Sequence, residues 1–142
     1  MLLGFAAWTV VLLSLTIGVY RWTRILTGRM PIKGFSATQV EGDDWYRRAM
    51  RAHANCIENL PVFGAIVLAV HVGGVGGPIV DYLSIAVLVA RVIQSSVHVG
   101  LPQTNAVVAV RFTFFSVQLA SFIALIVIVI RNAGAISVTL VK

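Results

Sequence analysis

Four long apolar blocks run along the chain, at residues 2–20, 55–75, 79–99 and 106–130, with polar residues gathered in the breaks between them. The first block carries no charge. Glu58 is the one acid of the second, Arg91 lies in the third and Arg111 near the start of the fourth. A bilayer core of about 30 Å is crossed by about 20 helical residues, so each block predicts a membrane-spanning helix. Residues 28–42 mix Gly, Pro, Lys and Ser, 73–78 read Gly-Gly-Val-Gly-Gly-Pro, and 100–105 read Gly-Leu-Pro-Gln-Thr-Asn; each suits a turn. No internal repeat is visible. The two short breaks set neighbouring helices antiparallel, which predicts an all-α, up-down four-helix transmembrane bundle forming a single domain over 1–142. The first block lacks a basic leading segment and a small-x-small cleavage site, so it is read as a retained helix.

Composition agrees with this pattern. Of 142 residues 58% are hydrophobic and 11% charged, whereas a soluble domain has roughly 25% charged residues; mean hydropathy is +0.93. That excludes a soluble globular domain and a disordered chain. The single Cys56 excludes a disulfide framework and a multi-cysteine metal site, and the three histidines are too scattered for another metal centre. The net charge of +6 changes the picture only through its distribution. Seven of the eleven basic residues, Arg21, Arg24, Arg29, Lys33, Arg47, Arg48 and Arg51, lie within one stretch. By the positive-inside rule that stretch is cytoplasmic, with both termini outside; Arg131 and Lys142 pull weakly the other way. No basic fold with interleaved aromatics accompanies it, so nucleic acid is not an expected partner.

Polar residues inside the spans share faces. At 100° per residue, Arg48, Arg51, Asn55 and Glu58 fall within an arc of about 80° on the second helix, and Arg91, Gln94 and His98 within about 60° on the third. Arg111 and Gln118 share a stripe on the fourth. Inter-helix pairing, with Glu58 joined to one arginine and Asn55 to a carbonyl, is one reading of these seams. Charge arithmetic goes beyond it: Arg51, Arg91 and Arg111 face one intramembrane acid, Glu58, so an anionic ligand would take up the surplus.

The stretch from Arg47 to Phe63, with Arg48, Arg51, Ala52, His53, Asn55, Glu58, Pro61 and Phe63 in order, resembles the second-helix signature of the MAPEG family, the membrane-associated proteins in eicosanoid and glutathione metabolism. Pro61 and Phe63 are separated by one residue, a small departure. The run Ala90-Arg91 to His98 is similar to the family's third helix, and Leu101-Pro102-Gln103 with Asn105 to a loop of some microsomal glutathione transferases. The resemblance covers nearly the whole chain. It implies a homotrimer that binds glutathione as co-substrate between subunits near the cytoplasmic side. Such proteins conjugate glutathione to lipophilic electrophiles, reduce lipid hydroperoxides or isomerise an endoperoxide, and at least one binds lipid without catalysis. It implies that Arg51, Asn55 and Glu58 contact glutathione, Glu58 through the α-amino group and the arginines through carboxylates. Arg48, Arg91, Gln94 and His98 join that set, Gln94 standing where His is frequent. The family's thiolate-stabilising arginine at the start of the fourth helix matches Arg111, given a preceding loop about four residues longer; an ungapped register puts Ala106 there. Phe112, Phe114 and Phe115 replace the hydroxyl partners found after this arginine in some members, which favours thiolate chemistry supported by arginine alone.

The remaining polar and aromatic residues take packing roles. Cys56 is read as a small packing residue, His53 as packing or bonded to the backbone, and His71 as interfacial. Trp22, Trp45, Tyr20 and Tyr46 fall near span ends as interface anchors, whereas Trp8 is read as facing lipid. The expected function is a membrane glutathione transferase or peroxidase, with lipophilic small molecules and membrane lipid as partners. The alternative is a non-catalytic lipid-binding or scaffold protein of the same fold. A transporter would need a polar path that the apolar first helix does not offer.

Overall fold

The computed structural model describes residues 1–36 and 40–140, with 134–140 described by backbone alone. Four helices carry the fold: α1 (Leu2–Leu26), α2 (Asp44–Val72), α3 (Pro78–Gly100) and α4 (Asn105–Leu140). Each is long and apolar enough to cross a membrane, α4 through its part Asn105–Ala133. At 1.5 Å per residue α1 reaches about 37 Å, more than a bilayer core needs.

Three boundaries differ from the sequence expectation: the ends of α1 and α4, the latter running past residue 130 to Leu140, and the start of α2. α1 continues past Tyr20 because its late cations find partners at the helix end: Arg21 Nε donates to the Tyr46 hydroxyl (2.8 Å) and Arg24 pairs with Asp43 (3.0 Å). α2 begins at Asp44, well before residue 55. Asp44 in the first turn complements the helix dipole, and Arg47, Arg48 and Arg51 therefore lie on a helix and not in the loop. Midway along α1, residues Leu13–Gly18 form a π-helical stretch. There the Thr16 hydroxyl takes the Leu12 carbonyl, competing with the regular backbone ladder.

Glycine ends two of the helices. After α2, the Gly74 amide donates to the His71 carbonyl and the Val75 amide to the Val70 carbonyl, while Gly74 takes a φ of +60°. This is a Schellman cap, which needs the left-handed conformation that glycine adopts freely. Gly28 closes α1 in the same way, at φ +67°. Asn132 of α4 donates to the Gly73 carbonyl (3.2 Å) and ties that turn to the bundle.

The α2 and α3 pair forms the centre, with α1 and α4 each packed against both. Rings link the layers: Phe5 of α1 lies 5.7 Å from Phe63 of α2, which lies 5.9 Å from Phe122 of α4, centroid to centroid. Ala52, Cys56, Val87 and Leu125 complete this core, in keeping with the packing role expected of Cys56. A second cluster sits at the end carrying the 27–43 connection, called here the loop end. Tyr20 and Tyr46 stack there at 4.1 Å and are buried, so neither is the interface anchor expected of it. Gly42, at φ +135°, passes so close that an added Cβ would lie 2.7 Å from the Tyr20 hydroxyl oxygen. Trp8 also departs from expectation: its indole Nε1 donates to Ser95 Oγ (2.8 Å), turning the ring toward α3.

Candidate functional site

The polar seams of α2 and α3 meet the bundle differently. The buried face of α2 is set by Ala49, Ala52, Cys56, Phe63 and Ile66. Its polar seam lies about 95° round the helix from that face, on the 100° wheel. Arg48 and Asn55, on the near edge, are half-buried, whereas Arg51 and Glu58 point out of the bundle and are exposed. On α3 the seam coincides with the buried face, so Arg91, Gln94 and His98 are all enclosed.

At the loop end the seams converge. His98 is buried on α3 within electrostatic range of Arg48 and Arg51 from α2 and Arg111 from α4. Arg48 directs Nε and Nη2 at the Val99 carbonyl (3.4 and 3.3 Å), where α3 presents its negative dipole end. Arg111 is half-buried, its Nε enclosed without a partner among the described residues. Among the described residues the ion pairs are Arg24–Asp43 and Arg47–Asp44, so none of Arg48, Arg51 and Arg111 is neutralised by a carboxylate. Glu58 makes no ion pair among the described residues either, so the Glu58–arginine pairing entertained from sequence is not formed there. Asn59 Nδ2 donates to the Asn55 backbone carbonyl (2.8 Å), and the Asn55 side-chain amide itself makes no hydrogen bond among the described residues.

Arg91 stands apart from this cluster. It is 1% exposed, deep in the α1–α2–α3 interior, with its guanidinium 5.6 Å over the Phe5 ring. Its Nε and Nη2 have no hydrogen-bond partner among the described residues, and Glu58 lies within electrostatic range. Gln94 is engaged within the bundle: Nε2 donates to the Arg111 carbonyl (3.1 Å) and Oε1 accepts from Gln118 Nε2 (2.9 Å).

Sequence periodicity missed one polar group. Trp8, Thr9 and Ser95 line the interior beside Cys56 and Arg91, so α1 is not wholly apolar toward its neighbours. Ser95 follows Arg91 by one turn and was accessible from spacing; the Trp8 contact, set by α1 docking, left no local signal. Among the described residues no cluster of His, Cys, Asp and Glu could hold a metal ion.

What the cluster can do is limited by its charge. Three guanidinium groups without carboxylates, beside an exposed carboxylate and a spare amide on α2, suit a zwitterionic ligand of net negative charge. The chain matches no curated protein and no solved structure. The sequence model of the MAPEG family matches residues 1–131. That family includes glutathione transferases and related membrane enzymes. With four helices fit to cross a membrane and that match over most of its length, the chain is an integral multi-pass membrane protein and belongs to the MAPEG family.

Proposed function

We propose that the protein is a membrane glutathione transferase or peroxidase, which activates the glutathione thiol for attack on lipophilic electrophiles or lipid hydroperoxides. The observation that carries this reading is the convergence of Arg48, Arg51 and Arg111 around His98 with no carboxylate paired to them. Glutathione has two carboxylates, an α-amino group and a thiol. Arg51 takes a carboxylate, Glu58 the ammonium, and Asn55 supplies an amide at the same face. Arg48 adds charge while held at the α3 terminus, and His98 forms the floor of the site. Arg91 and Gln94 support it from inside the bundle.

Arg111 acts on the thiol. A free thiol with a pKa near ~8.5 is mostly protonated at neutral pH, and a nearby cation lowers that by about one unit or more. Guanidinium remains charged and is no base at neutral pH. It stabilises the thiolate while the proton passes to water or to the ligand. The hydroxyls that follow it are spent elsewhere: Thr113 donates to the Ala109 carbonyl and Ser116 to the Phe112 carbonyl, both at 3.0 Å. The chemistry therefore rests on the guanidinium without hydroxyl assistance.

Arg51 and Glu58 face out of their own bundle, so the site is completed by a neighbouring copy, in a homotrimer with lateral access from lipid. A monomeric mass in mild detergent with activity retained would overturn that assembly. The loop end is cytoplasmic and both termini lie outside, an orientation that the basic residues of α1, the connection and α2 support. Thiol labelling of Ser36→Cys in a Cys56→Ala background, blocked only by a reagent on the cytoplasmic side, is the expected outcome; labelling from outside alone reverses the orientation. The function itself is tested on purified protein by glutathione binding and conjugation to a lipophilic electrophile. Binding of lipid with no thiol-dependent turnover would favour a non-catalytic lipid-binding or scaffold role.

A further inference from the structure

We infer that Gln94 and Gln118 are positioning residues, which fix Arg111 in register against α3 and do not touch the ligand. This rests on the thiolate role proposed for Arg111. Gln118 lies two turns beyond Arg111 on α4 and is 1% exposed. Its Nε2 donates both to Gln94 Oε1 (2.9 Å) and to the Phe114 carbonyl (3.1 Å). Gln94 Nε2 in turn donates to the Arg111 carbonyl (3.1 Å). The loop closes through the α4 backbone, from Arg111 to Phe114 to Gln118 and back across Gln94. Each amide is oriented by its partners: turning Gln94 over would set its oxygen against the Arg111 carbonyl and its NH₂ against the Gln118 NH₂.

Such a ring resists both sliding and rotation. A one-residue slip of α4 would move the Arg111 carbonyl about 1.5 Å along the axis and turn it by about 100°, out of reach of Gln94. Apolar side chains at an α3–α4 contact in lipid fix neither quantity so sharply, because no hydrophobic gain separates one register from the next. The half-buried Arg111 side chain springs from the same residue whose carbonyl is clamped. Its height and direction toward the Arg48–Arg51–His98 cluster are therefore set by amides that never reach the ligand.

The test uses the full-length protein in detergent or nanodiscs with glutathione, comparing Gln94→Leu, Gln118→Leu and the double variant. Each single variant is expected to keep glutathione Kd within about three-fold, lower kcat about ten-fold, and shift the pH–rate profile alkaline in the direction of Arg111→Ala. Adding Gln118→Leu to Arg111→Ala should change nothing further. The double leucine variant replaces both partners by apolar groups, so it should regain thermal stability while keeping the displaced profile; a purely structural role would restore both together. Spin labels at Ser96→Cys and Val108→Cys, in Cys56→Ala, report the α3–α4 register without catalysis, and the distance should shift or broaden in Gln94→Leu. An unchanged distance and pH profile overturn the inference, as does a loss of glutathione affinity beyond about ten-fold, which would make Gln94 a ligand contact. If the wild type shows no glutathione chemistry, the proposed function fails, and the spin-label distance alone decides whether these amides set the register.

Discussion

On α3, Arg91, Gln94 and His98 turn into the bundle, whereas on α2, Arg51 and Glu58 turn out of it, although both sets repeat at helical spacing in apolar surroundings. The difference lies in the neighbours. Ala49, Ala52 and Cys56 let α2 approach α1 and α3 closely on one side, and that choice rotates the Arg51–Glu58 edge away. On α3 the enclosed face is itself polar, because Trp8, Gln118 and the Arg111 carbonyl wait there to be bonded. Gln94 and Ser95 are answered by the fold in this way, whereas Arg91, enclosed over Phe5, keeps Nε and Nη2 without a partner among the described residues. At the centre of a membrane span an outward charge costs about 2.5–3.5 kcal/mol on insertion scales, a cost that the ligand and neighbouring copy proposed above would relieve at the Arg51–Glu58 edge.

The largest effect that would sharpen this contrast is at Arg111, where the seams meet. Arg111→Ala should retain much of its glutathione affinity and lose turnover by roughly 10²-fold or more, as removal of a preorganised charge does. Arg111→Lys should recover part of it, since a point charge restores the field but not the fork. Ultraviolet thiolate absorbance, titrated beside Arg91→Ala, checks the assignment. Loss of thiolate in Arg91→Ala with none in Arg111→Ala would move the role to the enclosed seam and break the contrast.

Next in size are the outward residues. Glu58→Gln and Arg51→Ala each remove one charge-assisted bond, for about 1.5–3 kcal/mol, or roughly 10- to 150-fold in glutathione affinity. Neither touches the core, so melting temperature without ligand should stay close to wild type. Should these variants instead lose trimer stability while residual folded protein binds normally, the outward seam would be subunit glue.

The four spans were legible because length and apolarity alone decide membrane crossing, and the glycine turns because left-handed backbone demands that residue. The helix ends were less so: Arg21 and Arg24 look like loop residues until Tyr46 and Asp43 are seen to hold them on α1. For the site, spacing grouped Arg48, Arg51, Asn55 and Glu58 on one arc and Arg91, Gln94 and His98 on another. It carried no sign of which arc faces inward, because that depends on how neighbouring helices dock. The same ignorance put Trp8 in lipid and made Tyr20 and Tyr46 anchors. An aromatic near a span end reads alike whether its polar atom meets a headgroup or a buried hydroxyl.

The smallest expected effect tests the enclosed seam where sequence said least. Trp8→Phe keeps an aromatic ring beside α3 and deletes the indole N–H that donates to Ser95 Oγ. Ser95 retains the Arg91 carbonyl as acceptor for its own proton, so no buried donor is stranded. The loss should be that of one neutral hydrogen bond, about 0.5–1.5 kcal/mol in stability, and membrane interiors place such bonds toward the lower part of that range. Thermal unfolding in a fixed detergent, read by helical circular dichroism, should therefore show a modest drop in melting temperature, while glutathione affinity stays unchanged. Ser95→Ala should give a larger drop, because it strands the indole N–H, and the double variant should fall no further than Ser95→Ala, because the two side chains share the one bond. If Trp8→Phe weakened glutathione binding with stability intact, the interior of α1 and α3 would belong to the ligand site, and the division between an inward seam for folding and an outward seam for binding would fail.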